Sequence, residues 1–215
     1  MSKKFNFNKS NTFCISLEDA HVRWESMERR FSEFNLDVTR WIASTAPTDN
    51  FVSNLSIVQK ACCQSHINIY KHILENNLEY AFVLEDDACF DKNWEQKLEE
   101  FDHPNWDLIL LNGSEEMANK NVWECTINNL QYLCGGYIIS KKGAEWILSS
   151  YYNNYYMSDW MTSRFQTLGT SYCYFPWLII QEGTNTQIGS NFNADHAKVI
   201  RLLGEIDYSL DNYSI

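Results

Sequence analysis

Along the chain, short runs of strand-forming apolar residues alternate with longer stretches whose apolar residues recur every three or four positions. Thr12 to Leu17 is the first such run. It leads into Glu18-Asp19, which can cap a helix over about 20–34 whose buried stripe is Trp24, Met27, Phe31 and Phe34. Val38 to Ile42 reads as a second strand, ended by the polar turn at Pro47-Thr48-Asp49-Asn50. A long helix over about 54–76 follows, with Ile57, Ala61, Ser65, Ile69 and Ile73 on one face. Strand, helix, strand in this order predicts a parallel sheet.

The next run, Tyr80-Ala81-Phe82-Val83-Leu84-Glu85-Asp86-Asp87, steps from mostly apolar residues straight into three acidic ones. Its apolar part fits a buried strand near the middle of a sheet. Strand alternation sends Glu85 and Asp87 to one side and Asp86 to the other. Adjacent carboxylates repel one another and lose hydration wherever the sheet end is enclosed. Water relieves this in a solvated acidic turn; a cation relieves it in a metal site. Two oxygens on one side suit Mg²⁺ or Mn²⁺ with positions left for a diphosphate, and strand ends are where open α/β sheets bind ligands.

Beyond this point the pattern predicts a short helix from Asn93 to Phe101 and a strand from Asp107 to Asn112. Edge strands at Val122-Trp123 and Thr126-Ile127 and a strand from Gly135 to Ser140 follow. Helices are predicted from Gly143 to Tyr152 and Ser158 to Leu168, one or two strands around Pro176, and a helix from Ala194 to Leu203. The whole predicts one α/β domain over 12–215, a Rossmann-like unit with a mostly parallel central sheet flanked by helices, after a loose polar segment over 1–11.

Composition narrows the function. No Gly/Ser- or Pro-rich window divides the 215 residues, so one unit is expected. A formal net charge of −11 disfavours nucleic acid and anionic membrane as partners, and an anionic ligand such as a nucleotide needs a local cation here. Seven cysteines, an odd number without zinc spacing, and the lack of a long apolar span predict a reduced, cytoplasmic protein with no membrane span.

Three further positions carry candidate chemistry. His66 falls one residue off the helix stripe, where it either reaches the sheet edge or packs as an ordinary helix histidine. Arg23 sits beside the end of the first strand, placed to pair a phosphate, or Glu18 or Asp19. Asp159, between Ser158 and Trp160, fits either a helix cap or a base that takes a proton from an acceptor hydroxyl. The Tyr151-Tyr152 and Tyr155-Tyr156 pairs near it suit stacking on sugar rings, or core packing.

In register, these segments resemble glycosyltransferase family 25, which contains lipopolysaccharide and collagen galactosyltransferases. Ile15-Ser16-Leu17 with Arg23 is similar to its opening strand and turn, and Cys62-Cys63-Gln64-Ser65-His66 to its Cys-x-x-Ser-His helix. Val83-Leu84-Glu85-Asp86-Asp87 with Phe90 matches most closely. Gly136-Tyr137-Ile138-Ile139-Ser140 with Gly143-Ala144, Asp159, and Gln181 with Thr186-Gln187-Ile188-Gly189 complete the likeness over about 12–190.

The resemblance implies a GT-A-like fold and an inverting, metal-dependent hexosyl transfer from a UDP-sugar donor to a glycan or hydroxylated protein acceptor. It places Glu85 and Asp87 on Mn²⁺ or Mg²⁺; a late His completes the metal site in many GT-A enzymes, and His196 is either that ligand or a surface helix cap. Ile15, Ser16, Leu17, Arg23, Ser65, His66, Asp86 and Gly136 line the donor, and Asp159 is the base. The sequence departs at Ala61 for Gly, Trp24 for a second Arg and Gln187 for Asp, and the chain is short. Two other classes stay open on the residues: a non-catalytic sugar- or nucleotide-binding module on a degenerate transferase fold, and a metal-dependent phosphodiesterase.

Overall fold

A computed structural model describes residues 4–49, 54–115, 121–150, 162–163, 165–183 and 192–215, the side chains of 192–195 excepted. The first half runs β1 (Thr12–Ser16), α1 (His21–Glu33), β2 (Thr39–Ile42), α2 (Ile57–Glu75), β3 (Tyr80–Glu85), β4 (Ala88–Phe90) and α3 (Trp94–Glu99). The second runs β5 (Leu108–Leu110), β6 (Val122–Glu124), β7 (Gly136–Ser140), α4 (Lys141–Ser150), β8 (Ser171–Tyr174), β9 (Ile179–Gln181) and α5 (Phe192–Glu205).

Seven strands form the central sheet in the order β2-β1-β3-β7-β5-β8-β6. β1, β2, β3, β5 and β8 run the same way; β7, inserted between β3 and β5, and β6, at the edge, run against them. The expected mostly parallel α/β architecture is therefore present. Strands apolar at nearly every position are buried on both faces. Phe13, Ile15, Val83 and Tyr137 pack on the side of α2, α4 and α5. Cys14, Phe82, Leu84 and Ile138 pack on the opposite side with Met27 and Phe31 of α1 and Trp94 and Leu98 of α3.

Local chemistry sets the helix that walls the site. Ser56 accepts from the Gln59 backbone N–H at 3.2 Å while the Gln59 side chain accepts from the Ser56 N–H at 2.9 Å, a capping box that starts α2. α1 has no such cap: its first flanking residue is Ala20, and Glu18-Asp19 lie in the preceding turn. Thr126-Ile127 is a turn rather than an edge strand, because the Asn129 side-chain carbonyl accepts from the Thr126 N–H and hydroxyl. Residues 4–11 carry no helix or strand, yet Phe5 is buried and Phe7 packs on Phe82 with ring centroids 4.8 Å apart.

Candidate functional site

Because β1, β2 and β3 are parallel, their C-terminal ends meet at one edge of the sheet. Register places Ile15 opposite Glu85 and Ser16 opposite Ile42. A cavity of ≈ 360 Å³ opens there, between these strand ends and α2. Its lining includes Ile15, Ser16, Leu17, Arg23, Ser65, His66, Glu85, Asp86 and Asp87, all anticipated as site residues. Ala43, Val58, Ala61 and Cys62 give one side of the cavity an apolar surface.

The acidic side departs from simple alternation. β3 ends at Glu85, and Asp86 and Asp87 form the turn into β4, so all three acids face the cavity. Arg23 pairs both turn residues, at 2.6 Å to Asp86 Oδ1 and 3.0 Å to Asp87 Oδ2, rather than Glu18 or Asp19. Burial pushes the Asp87 carboxyl up to about 6; the Glu85 charge adds to this and Arg23 opposes it. Burial also raises Asp86, against the pull of Arg23 and a hydrogen bond from Ser16. Asp86 Oδ2 is buried with no hydrogen-bond partner among the described residues. Among the described residues one guanidinium thus serves both turn carboxyls.

Gln181 reaches this wall from far along the chain. β4 and β9 pair antiparallel with Ala88 opposite Gln181, and the Glu182 N–H donates to the Asp87 carbonyl at 2.9 Å. The Gln181 amide then donates to Glu85 Oε2 at 3.1 Å and to Asp87 Oδ1 at 3.3 Å. A hydrogen-bond donor therefore bridges the two carboxylates expected to share a cation. Gly135 makes room for it, since a Cβ there would lie 2.7 Å from Gln181 Cγ.

On the α2 side, Ser65 Oγ accepts from the Ser44 N–H at 2.9 Å and donates to the Ala61 carbonyl at 3.0 Å, bracing the loop after β2. His66 is fully buried, with Nε2 3.3 Å from Glu85 Oε1 and Nδ1 2.8 Å from the Tyr137 hydroxyl. The Tyr137 hydroxyl is 2.9 Å from that of Tyr70. His66 thus reaches Glu85 at the sheet edge while being buried between protein partners.

Two anticipated residues stand elsewhere. Gly136 is outside the cavity lining; it pairs Leu84 in the sheet, and a Cβ there would come 2.4 Å from Ile179 Cδ1, so its absent side chain serves packing. His196 on α5 lies against Gly183, where a Cβ would meet its ring at 2.4 Å. Burial lowers its pKa, opposed by a hydrogen bond with the Gln181 backbone, and it is not part of the cavity wall. Among the described residues the side chain brought to Glu85 as a further metal donor is Cys62, with His66, rather than His196. Asp159, the 151–156 tyrosines and the 186–189 segment lie outside the described residues.

Sequence reasoning missed Arg40 and the two tyrosines. Arg40 donates to the Leu17 carbonyl at 2.6 Å and lies over the Trp24 ring at 4.8 Å, pinning the turn that carries the cavity's β1 wall. Its position in a short strand offered no signal. Tyr70 is four residues from His66 on one helix, a spacing that could have flagged it; Tyr137 sits on a distant strand and could not be paired with it from the sequence.

A family model described as Glycosyltransferase family 25 (LPS biosynthesis protein) matches residues 9–133. Procollagen galactosyltransferase 1-A of Xenopus laevis is 28% identical over 178 residues, covering 68% of this chain and 29% of that protein. A putative glycosyltransferase of Haemophilus influenzae is 32% identical over 107 residues, covering 45% of this chain and 37% of that protein. The chain spans less than two thirds of either relative. Among solved structures, a glycosyltransferase involved in the glycosylation of the major capsid of PBCV-1 has a TM-score of 0.37 and 11% identity, covering 65% of this chain and 66% of that one. No helix among the described residues is long and apolar enough to cross a membrane.

Proposed function

The chain belongs to glycosyltransferase family 25, and on that premise we propose that it moves a hexose from a UDP-sugar to a hydroxyl of a glycan or protein acceptor, with inversion and with the help of Mn²⁺ or Mg²⁺. One observation carries this: Glu85, Asp86 and Asp87 converge with the Arg23 guanidinium on a ≈ 360 Å³ cavity at the ends of three parallel strands. A GT-A-like arrangement agrees with that edge location.

The donor set fits a hard cation. Glu85 and Asp87 offer carboxylate oxygens, the Asp87 carboxyl is raised to about 6 by burial and by Glu85, and Asp86 Oδ2 is left without a hydrogen-bond partner among the described residues. Glu85 and Asp87 would hold the ion once the Gln181 amide turns its oxygen toward it or withdraws. When bound, Mn²⁺ or Mg²⁺ offsets charge that builds on the leaving diphosphate.

The chain's own residues do the rest. Arg23 is held at the Asp86-Asp87 turn, where it can exchange a carboxylate for a phosphate oxygen. The apolar side of the cavity, with Ala43 and Val58, accepts a nucleobase, while Ser65 keeps its edge in place through Ser44. His66, with Nδ1 at the Tyr137 hydroxyl, can donate from Nε2 to Glu85 and keep that carboxylate aimed at the cavity. Asp159 takes the proton of the acceptor hydroxyl as that oxygen attacks the anomeric carbon from the face opposite the diphosphate.

Thermal stabilisation tests the donor half. UDP with Mn²⁺ is expected to raise the Tm more than UDP alone or a free hexose, and UDP release is expected on adding an acceptor. Equal stabilisation with and without the metal would remove the cation from the site. Asp159→Asn should cost kcat far more than donor affinity; a variant that only weakens UDP binding would take Asp159 out of the base role. Retained configuration at the transferred anomeric carbon would refute inversion.

A further inference from the structure

α2 carries Cys62 and His66 four residues apart, so both project from one helix face toward the end of β3. The Cys62 thiol, a His66 ring nitrogen and a Glu85 carboxylate oxygen all lie within 4.8 Å of one another. His66 Nε2 and Glu85 Oε1 are 3.3 Å apart. Bonds of about 2.3 Å to sulfur and 2.0–2.2 Å to nitrogen or oxygen imply tetrahedral ligand–ligand edges of about 3.3–3.8 Å. Closure on an ion therefore needs movements of about 1 Å, within reach of side-chain rotation.

The imidazole is braced from behind. Tyr137 and Tyr70 are fully buried, and the Tyr137 hydroxyl sits on Nδ1, with the Tyr70 hydroxyl on Tyr137 in turn. A partner of this kind fixes the ring and leaves Nε2 for a ligand, as second partners do behind metal-bound histidines. Sulfur and nitrogen donors select a different ion from an all-oxygen set: thiolate and imidazole suit Zn²⁺, whereas Mg²⁺ and Mn²⁺ favour oxygen. All three side chains line the cavity, so a fourth coordination position faces it.

We propose that Cys62, His66 and Glu85 form a site for a thiophilic divalent cation of the Zn²⁺ class. Binding replaces the Nε2 hydrogen bond to Glu85: the ring proton stands on Nδ1 and is donated to the Tyr137 hydroxyl. The Nε2 lone pair, one carboxylate oxygen and a thiolate take the ion, and the thiol proton leaves to solvent. The site shares Glu85 with the oxygen-only position of Glu85 and Asp87, so the two cations compete. That competition rests on the reading of the acidic wall under Proposed function; the three-ligand site does not.

Titration of the full chain with Co²⁺ tests it, because a thiolate ligand gives a sulfur-to-cobalt charge-transfer band in the near ultraviolet. A single saturable band is expected, displaced by Zn²⁺ and not by Mg²⁺ at the same concentration. Cys62→Ser should abolish it with the circular dichroism unchanged, leaving the other cysteines as internal controls. Tyr137→Phe should weaken Zn²⁺ binding about tenfold, the usual cost of losing a second partner. A band that persists in Cys62→Ser, or a wild-type protein that binds Co²⁺ without one, overturns the assignment. Zn²⁺ should also displace bound Mn²⁺ from the wild type and much less from Cys62→Ser; equal displacement overturns the competition. A cobalt band without transfer from any UDP-sugar sinks the functional reading and leaves this site standing, whereas transfer without a band does the reverse.

Discussion

Asp87→Asn separates stability from function. The Asp87 carboxyl is raised from 3.8 to about 6, first by burial and then by Glu85, with Arg23 pulling the other way. A carboxyl raised in the fold supports stability most fully below about pH 3.8, and that support is lost as the pH rises through about 6. At about 1.4 kcal/mol per pH unit, the ionised form is disfavoured in the fold by up to about 3 kcal/mol near neutral pH, and the attraction of Arg23 is already contained in that net figure. Asparagine is neutral at every pH and keeps an oxygen to accept from the Gln181 amide. The variant is therefore expected to be more stable than the wild type by up to about 3 kcal/mol near pH 7.5, with most of that gain gone near pH 4. For a chain of this size the first figure is about 6–12 °C in Tm. Urea and thermal unfolding at the two pH values, with and without Mn²⁺, measure it. Mn²⁺ should stabilise the wild type and leave the variant unchanged, and UDP-sugar turnover should vanish. A variant destabilised by similar amounts at both pH values would refute the reasoning and make Asp87 a structural partner of Arg23.

Mn²⁺ affinity should fall about tenfold per pH unit below about 6, as Asp87 takes up a proton, and should level off above it; Mn²⁺ titrations across that range check this. Gly136→Ala forces a Cβ against Ile179 and should cost about 1–3 kcal/mol in urea unfolding while leaving the donor KM unchanged; a KM effect without a stability loss would return Gly136 to the donor site. Arg30 is buried and donates to the Ser214 carbonyl at 2.7 Å and to Glu182 at 2.9 Å, tying α1 to the C-terminal residues and to the residue that follows β9. Arg30→Met should therefore lower stability by about 3 kcal/mol and loosen Gln181, read as faster hydrogen exchange over 179–183.

Periodicity made most elements legible. Apolar runs marked β1, β3, β5 and β7, and the stripe of Met27 and Phe31 marked α1, because side chains that alternate or recur every three to four residues must be buried together. The step from Leu84 to Glu85-Asp86-Asp87 pointed to the sheet edge for the same local reason. Boundaries and sides were less secure: the strand stops at Glu85, so the turn rather than the pleat aims Asp86 and Asp87, and both meet Arg23. Nothing local said that β7 would enter antiparallel between β3 and β5, since a strand buried on both faces is apolar throughout and its pattern encodes neither direction nor neighbour. That insertion puts the Tyr137 hydroxyl on His66, and the β4–β9 pairing puts the Gln181 amide between Glu85 and Asp87. The acids and the edge they occupy were determined by the sequence alone. Which partners hold them was decided by tertiary structure, because those contacts join residues 71 and 96 positions apart and depend on how whole strands pair rather than on any local preference.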